Sequence, residues 1–381
     1  MVHIIVGSTR SSGATGLYEL KEENSLDFVK VLDGDGSEDS TNASWIVVSS
    51  STSTDDKYMF STNETRGSVQ VHKLNISGDD ITVQLHSSTP SGGMGTTHIA
   101  LQNTKEAGPV LISSNYDSGS VSVFTVDFDP LTLDGPVQLI DQNVPSSQSQ
   151  SHSHQCVIHR NVAYVCDLGN DIVYSYSIST APQRLSVIGE LKLPPGSGPR
   201  HLAISRGGSC AYILNELSSE VTVARIDPLT SALVFDGCND VPRAGMLSAL
   251  PAGESAVDMA AAAILLSAEG RFLYTSNRDI SRSAASDPST DRSSISVFAV
   301  SSDEASLRLV QTVRARGSHP RHMALLRTAV GSVLLVANRT SQSFAVFPVD
   351  EETGVLAEDR VVVSPADPRC PDPGFVILIE K

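Results

Sequence analysis

The feature that most restricts how this chain of 381 residues can fold is a segment that recurs along its whole length. In each copy a β-rich run ends in Asn or a similar polar residue, and a polar turn and an alternating strand follow, as in YMFSTNETRGSVQVHKL and VLISSNYDSGSVSVFTV. The marker residues that end the runs are Thr9, Asn63, Asn115, Asp167, Asn215, Asn277 and Asn338, which lie 48 to 62 residues apart. Short alternating strands in repeats of this length are typical of the blades of a β-propeller.

A further strand precedes the marker segment, and it also recurs seven times. Its copies are SWIVVS, THIALQ, HQCVIH, RHLAIS, AAAAILLS, RHMALL and GFVILI. The last copy stands at the C-terminal end of the sequence, while the N-terminal repeat lacks one, so the two ends complete each other if they meet. The sequence therefore predicts an all-β fold, a seven-bladed β-propeller, as a single domain over residues 1–381. Its ring would be closed by a blade shared between N- and C-terminal strands, Val2–Gly7 and Gly374–Glu380, which removes exposed sheet edges.

The alternative to one ring is two stacked β-domains. No break in composition marks a linker between two such domains, which favours the ring. The Ser-rich stretches PSSQSQSHSH and SRSAASDPSTDRSS are interpreted as long loops between strands.

Composition and charge exclude several partners. A formal net charge of −16 argues against nucleic acid and anionic membranes, because phosphate binding needs clustered Lys and Arg. No apolar run is long enough to span a bilayer, and the N-terminal residues lack the basic region of a signal peptide. The five Cys residues show no CxxC spacing and are interpreted as free thiols. We expect a cytoplasmic protein.

Several motifs of this sequence resemble one known family. The stretches GPRHLAIS, AYILNELSSEVTV, GRFLYTSNRD and SHPRHMAL are similar to those of the lactonase family of seven-bladed propellers. That family includes the bacterial-type 6-phosphogluconolactonases and the fungal carboxy-cis,cis-muconate cyclase. The similarity extends over essentially the whole chain and is strongest from Ser151 to Leu356.

The resemblance implies a site of one His, two Arg and one Glu at the mouth of the channel. Motif by motif these are His154 of SHSHQC, Arg200 of GPRHLA, Glu216 of LNEL and Arg278 of SNRD. We expect His98 and Arg321 to lie beside them as substrate-binding residues. The sequence departs from the family in one strand, since many members carry Glu and His where Met259–Ser267 has neither. This departure leaves open whether the substrate is a phosphosugar.

These residue types suit a small anionic substrate and no cofactor. Arg grips a carboxylate or phosphate with two parallel hydrogen bonds. In a lactonase, Glu216 or His154 would activate the water that attacks the ring carbonyl, and an Arg would stabilise the oxyanion. In an intramolecular lyase, the same residues would move a proton next to a carboxylate of a dicarboxylic acid of the muconate type. The site residues do not separate a lactone hydrolase from a cycloisomerase.

Each of these residues also has a structural interpretation. Arg200 and Arg321 both belong to an Arg-His pair at the start of a repeat strand, so either could link two blades. Glu216 could cap backbone N–H groups of its turn, and His154 could be a packed strand histidine like His98. In that case the propeller would be a non-catalytic binding platform, which the fold supports equally well.

A functional metal is not expected. His152 and His154 share one face of a strand, and His159 is nearby, but no Cys or carboxylate group completes a ligand set at useful spacing.

Overall fold

Seven antiparallel sheets make up this computed structural model, which describes residues 2–9, 14–32, 42–51, 54, 56–104, 108–143, 150–180, 182–238 and 240–379. Six of the sheets have four strands and one has five. The prediction of a seven-bladed β-propeller is therefore confirmed, and each sheet is called a blade below.

The strands follow the chain blade by blade. Blade 1 begins with β1 (Val2–Ser8), β2 (Gly16–Leu20) and β3 (Leu26–Val31), and blade 2 has β4 (Ile46–Ser50), β5 (Lys57–Asn63), β6 (Ser68–Ser77) and β7 (Asp80–Pro90). Blade 3 has β8 (Thr96–Thr104), β9 (Gly108–Asn115), β10 (Ser120–Phe128) and β11 (Leu131–Asp141). Blade 4 has β12 (Ser153–His159), β13 (Val162–Asp167), β14 (Ile172–Thr180) and β15 (Gln183–Lys192).

The second half of the ring continues in the same way. Blade 5 has β16 (Pro199–Ile204), β17 (Cys210–Asn215), β18 (Glu220–Ile226), β19 (Leu233–Val234) and β20 (Met246–Ser248). Blade 6 has β21 (Met259–Leu266), β22 (Phe272–Asp279), β23 (Ser294–Val300) and β24 (Leu307–Arg314), and blade 7 has β25 (Pro320–Thr328), β26 (Gly331–Asn338), β27 (Ser343–Pro348) and β28 (Val362–Pro365). The last strand, β29 (Pro373–Ile379), returns to blade 1.

In the described residues, helical structure is confined to short segments between strands. Helix α1 (Arg282–Ser286) and a 3₁₀ turn at Pro288–Thr290 lie between β22 and β23, inside one of the two Ser-rich stretches predicted as loops. Two further 3₁₀ turns span Arg243–Gly245 and Glu358–Arg360. The other Ser-rich stretch lies partly outside the described residues, at positions 144–149. Within the part of the chain described here, no helix has the length and hydropathy needed to cross a bilayer.

The two ends of the chain share blade 1, as the sequence predicts. Strand β29 pairs antiparallel with β1 from His3 opposite Ile379 to Ser8 opposite Pro373. The side chains of Phe375 and Val376 on β29 are buried. Glu380, the last residue of the predicted pairing, lies outside the described residues.

The core is divided among the interfaces between blades. Each of seven apolar clusters combines residues of two neighbouring blades. The cluster between blades 5 and 6, for example, joins Tyr212 and Leu214 to Leu273 and Phe298. Successive side chains of a strand point to opposite faces of its sheet. Each strand therefore contributes residues to the interfaces on both sides of its blade.

Six of the seven marker residues, all except Thr9, are buried polar side chains that hold the turns of the repeat. Asn115 Nδ2 donates to Ser122 Oγ at 2.9 Å, and Asn215 Nδ2 donates to Thr222 Oγ1 at 3.1 Å. In blade 4 the carboxylate of Asp167 accepts from the backbone N–H groups of His152 and Gly169. These bonds hold the turn after the second strand, so the residue that follows each marker has a fixed position.

Strands β4, β8, β12, β16, β21, β25 and β29 each form one edge of their sheet, and most neighbouring pairs of them are in contact around the ring. They are the seven predicted repeat strands, and they surround the channel.

Six of these seven inner strands contain a β-bulge near their first residue, which the sequence did not reveal. Strand β4 pairs with β5 in unbroken register. A bulge turns an extra residue out of the ladder, and at five of the six bulges this residue lines a cavity on the channel axis. The residues at the bulges are Thr97, His154, Arg200, Ala262 with Ala263, Arg321 and Gly374.

Candidate active site

Glu216 holds two arginines, one on each carboxylate oxygen. Its Oε2 lies 2.8 Å from Arg200 Nε, and its Oε1 lies 2.9 Å from Arg278 Nη2. Glu216 and Arg200 belong to blade 5, whereas Arg278 comes from β22 of blade 6. Three of the four residues that the family resemblance implies are thus brought together.

The strand without polar side chains, β21, supports both guanidinium groups through its backbone. Arg278 donates from Nε to the carbonyl of Ala260 at 3.2 Å and from Nη2 to the carbonyl of Ala261 at 2.9 Å. Arg200 donates from Nη1 to the carbonyl of Ala262. The small side chains along this strand leave room for the guanidinium planes. Where the sequence lacks the Glu and His of many family members, the strand contacts the site through its backbone.

The arginines keep Glu216 ionised. Burial disfavours the charged carboxylate, but the nearby Arg278 and Arg200 outweigh burial and hold the pKa of Glu216 below its usual range. Burial lowers the pKa of Arg200 to about 9, and Glu216 opposes this effect. At neutral pH the cluster therefore contains two cations and one anion, and it carries a net positive charge.

His154 lies at the bulge of β12 and is a neutral imidazole. Burial, followed by the charges of Arg200 and Arg321, holds the pKa of His154 well below its usual value. Its Nδ1 has no hydrogen-bond partner among the described residues. Aligned by sequence, the repeats give His154 and His98 equivalent positions. The strand register instead makes His154 equivalent to Arg200 and Arg321, and His98 equivalent to His201.

A small cavity on the channel axis borders this cluster at Arg200. The volume of the cavity is about 10 Å³, which is room for about one water molecule. A lactone ring is too large for this cavity and must bind outside it. The cavity is lined by Ser44, Trp45, Thr97, His154, Arg200, His201, Arg321, His322 and Gly374.

The two predicted neighbours of the site differ in position. Arg321 lines the axial cavity, in agreement with its place at a bulge. His98 instead packs against Trp45, with ring centroids 4.0 Å apart, and is 4% exposed. Its blade contributes Thr97 to the cavity wall, so the packing favours a structural role for His98.

Sequence reasoning missed Tyr116 and Arg339. Both directly follow a marker Asn, at the turn position that holds Glu216 and Arg278 in blades 5 and 6. The ring of Tyr116 lies 5.6 Å from that of His154, edge to face. Aligning the residue after each marker would have identified both.

His319 is a third residue that the sequence did not single out. Its Nε2 lies 3.4 Å from Nη1 of Arg278. Burial and the neighbouring Arg278 lower the pKa of His319 to about 2. A neutral His319 can therefore accept a hydrogen bond from Arg278.

The histidines considered for a metal have other contacts. His152 stacks on Tyr116 with ring centroids 4.5 Å apart, and its Nδ1 lies 3.0 Å from the Tyr116 carbonyl. Among the described residues, no group of three or more His, Cys, Asp or Glu side chains is arranged to hold a metal ion.

The arrangement offers three chemical functions at one place. Glu216 is a carboxylate that can accept a proton from water, and His154, which lines the axial cavity together with Arg200, is a neutral donor or acceptor. Arg200 and Arg278 supply fixed positive charge for a developing oxyanion.

Comparisons with known proteins agree with the fold. The family model described as "Lactonase, 7-bladed beta-propeller" matches residues 3–372. The chain is 29% identical over 318 residues to a 6-phosphogluconolactonase of Formosa agariphila, covering 79% of this chain and 80% of the relative. It is 26% identical over 310 residues to a 6-phosphogluconolactonase of Bacillus subtilis, covering 80% of each chain.

Solved structures share the architecture. A protein from Lactobacillus plantarum superposes with a TM-score of 0.76 at 24% identity, over 100% of each chain. The periplasmic gluconolactonase PpgL of Pseudomonas aeruginosa gives a TM-score of 0.75 at 23% identity, over 100% of this chain and 99% of the other. At these identities the likeness supports the fold alone.

Proposed function

The chain belongs to the lactonase family of seven-bladed β-propellers, and we propose that it is a lactone hydrolase acting on a small anionic lactone at the mouth of its channel. The observation that carries this proposal is the carboxylate of Glu216 held between Arg200 and Arg278, with Arg200 also lining the axial cavity. A binding platform needs no such convergence of charge in one place. The 6-phosphogluconolactonases among its relatives make phosphogluconolactone one candidate substrate.

Hydrolysis uses the ionised form of Glu216. Its carboxylate accepts a proton from water as the water oxygen forms a bond to the ring carbonyl carbon. The carbonyl oxygen gains negative charge, which Arg200 or Arg278 stabilises. The bond between the carbonyl carbon and the ring oxygen then breaks, and Glu216 returns the proton to the departing alkoxide. Because its pKa is low, protonated Glu216 is a good acid for that step.

His154 assists as a neutral group. It faces the axial cavity, where there is room for one water molecule. A neutral imidazole can hold that water by a hydrogen bond without adding charge to a cluster that is already cationic. His154 is the second candidate for the proton acceptor, and its replacement by Gln tests that role.

Cyclisation of a dicarboxylic acid remains the alternative from sequence, but the relatives give it no support. A panel assay separates the two reactions. The protein is supplied with gluconolactone, 6-phosphogluconolactone and muconate-type diacids, and acid release and ultraviolet absorbance are followed. We expect acid release from a lactone above the spontaneous rate. Lactone formation from a diacid without any lactone hydrolysis would contradict the proposal.

Other expectations from the sequence stay predictions. These are a single domain over residues 1–381, a cytoplasmic location, independence of cofactors, and the lack of nucleic-acid or membrane partners.

A further inference from the structure

Arg321 is an arginine of the channel that forms no ion pair with any residue that the structure describes. It lines the axial cavity together with Arg200. Among the described residues, no carboxylate lies within 4.0 Å of its guanidinium group, whereas Arg200 and Arg278 share Glu216. The side chain is half-buried because it faces the channel while protein surrounds it on the other sides.

The charges around Arg321 make its position unfavourable for a cation without an anionic partner. Burial lowers the pKa of Arg321, Glu64 opposes this effect, and Arg278 and Arg339 add to it. An arginine nevertheless stays protonated at neutral pH. A confined cation that faces further cations is costly unless an anion joins it.

Arg339 extends this positive region along blade 7. It follows the marker Asn338, and its backbone N–H donates to the His319 carbonyl at 3.0 Å. Like Arg321, it forms no ion pair with any described residue. Blades 5, 6 and 7 therefore present Arg200, Arg278, Arg321 and Arg339 around the mouth of a protein whose formal net charge is −16.

We propose that Arg321, with Arg339 beside it, forms an anion subsite that binds the charged group of the substrate, apart from the cluster that acts on the lactone ring. This inference rests on the proposed function for the identity of the ligand. The substrate would then carry a phosphate or carboxylate outside its ring. The ring would lie over Glu216 of blade 5, and the anion would point to blade 7. The order of the blades places Arg278 between the two.

Replacing Glu64 should change the affinity for an anion in the opposite direction to replacing Arg321. It follows the marker Asn63 in blade 2, and its charge acts on Arg321 without an ion pair. A bound anion must compete with this carboxylate. Removing the charge of Glu64 should therefore strengthen anion binding, while removing that of Arg321 weakens it.

Binding of open-chain acids tests the subsite without requiring catalysis. The full chain is titrated calorimetrically at low salt with 6-phosphogluconate, with the dicarboxylate glucarate and with gluconate, which lacks a second anion. The variants are Arg321→Gln, Glu64→Gln and, as a control, Arg327→Gln, an exposed position on the same strand β25. Thermal unfolding checks each variant, and Arg321→Gln should be at least as stable as the wild type because it removes an unpaired cation.

We expect Arg321→Gln to weaken binding of 6-phosphogluconate or glucarate at least about tenfold, with a much smaller effect on gluconate. The acid that loses affinity identifies the group that the subsite binds. Glu64→Gln should tighten binding of that acid, and Arg327→Gln should leave it unchanged. Equal effects on all three acids, an unchanged affinity in Arg321→Gln, or no binding by the wild type would overturn the subsite.

Lactone hydrolysis by the wild type is measured in parallel, so the two proposals can fail separately. Anion binding that follows this pattern without hydrolysis would refute the proposed function and leave the subsite in place. Hydrolysis with equal loss of affinity for all three acids would refute the subsite alone.

Discussion

Arg278 of blade 6 and Glu216 of blade 5 form an ion pair across the boundary between two blades, with Nη2 and Oε1 2.9 Å apart. A backbone hydrogen bond crosses the same boundary, because the N–H of Ala261 donates to the carbonyl of Glu216 at 3.1 Å. The contact that holds the candidate base is thus also a contact that joins the blades. The arrangement of the site and the packing of the ring depend on each other here.

Replacing Arg278 by Lys should move the acid limit of activity. Lysine keeps a positive charge but loses the planar group that bonds two carbonyls of β21 and Glu216 together. The pKa of Glu216 should rise, because one of the charges that lower it becomes less well placed. The acid limb of the kcat/KM profile should therefore shift to higher pH, since the proton acceptor is lost as pH falls through its pKa. We expect kcat/KM at neutral pH to fall by about 10²–10³.

The matched control is Arg308→Lys, an exposed position on the outer strand of blade 6. An Arg278→Lys profile that superposes on the wild type would show that Arg278 does not set the ionisation of Glu216.

Replacing Ala262 by Leu should displace the backbone carbonyls that hold the two arginines of the site. The Ala262 side chain is fully buried, and its carbonyl accepts from Arg200. A larger side chain here would cost roughly 1–3 kcal/mol of stability and move the carbonyls that hold both arginines. We expect kcat/KM to fall in a protein that still folds, as judged by circular dichroism. Ala329→Leu, in the exposed turn between β25 and β26, is the control, and equal activity of the two variants would refute the role of β21.

Much of this architecture is visible in the sequence. The inner strands and the marker residues were identified because apolar alternation and buried Asn braces leave a repeating pattern. The bulges are not visible, because a bulge requires no particular residue type. Its position depends on how the strand pairs with its neighbour. For this reason the sequence alone makes His154 equivalent to His98, whereas the register makes it equivalent to Arg200 and Arg321.

The site was predicted in part for a similar reason. The resemblance located Glu216 and both of its arginines by their motifs. The carbonyls of β21 could not be predicted, since a row of alanines gives no sign of the groups its backbone binds. The alternative interpretation of Glu216 as a turn cap is not what the structure shows, because its carboxylate contacts Arg200 and Arg278.

Closure of the ring should depend on the packing of β29. Phe375 is 3% exposed and lies against Trp45 and His322, with ring centroids 4.6 and 4.3 Å apart. Replacing Phe375 by Ala should lower the free energy of unfolding by about 3–5 kcal/mol, measured by chemical denaturation. Deleting residues 373–381 should be more damaging, because it leaves β1 unpaired on one side. A truncated protein as stable as the wild type would contradict the shared blade.

Activity should not depend on a metal ion. The groups assigned to the reaction are a carboxylate, an imidazole and two guanidinium groups, which need no Lewis acid. Lactone hydrolysis should therefore be unchanged after exhaustive dialysis against a chelator. A loss that Ca²⁺, Mg²⁺ or Zn²⁺ restores would redirect attention to His152 and His154.

Glu216→Gln tests the reaction most sharply, and the structure adds a condition to it. Glutamine has nearly the same shape as glutamate and lacks its charge. The ion pairs show that this change also removes the counter-ion of Arg200, which is 2% exposed, so some loss of stability is expected. Assays must therefore be run well below the unfolding temperature of the variant, with Glu190→Gln as the control because it removes the same charge from an exposed outer strand.

The decisive measurement is kcat for lactone hydrolysis by folded Glu216→Gln, together with its affinity for the anionic product. If Glu216 accepts the proton of the attacking water, kcat should fall by about 10²–10⁴. The product should bind at least as tightly as to the wild type, because a negative charge next to two arginines has been removed. A Glu216→Gln protein that hydrolyses the lactone at the wild-type rate would contradict the central claim.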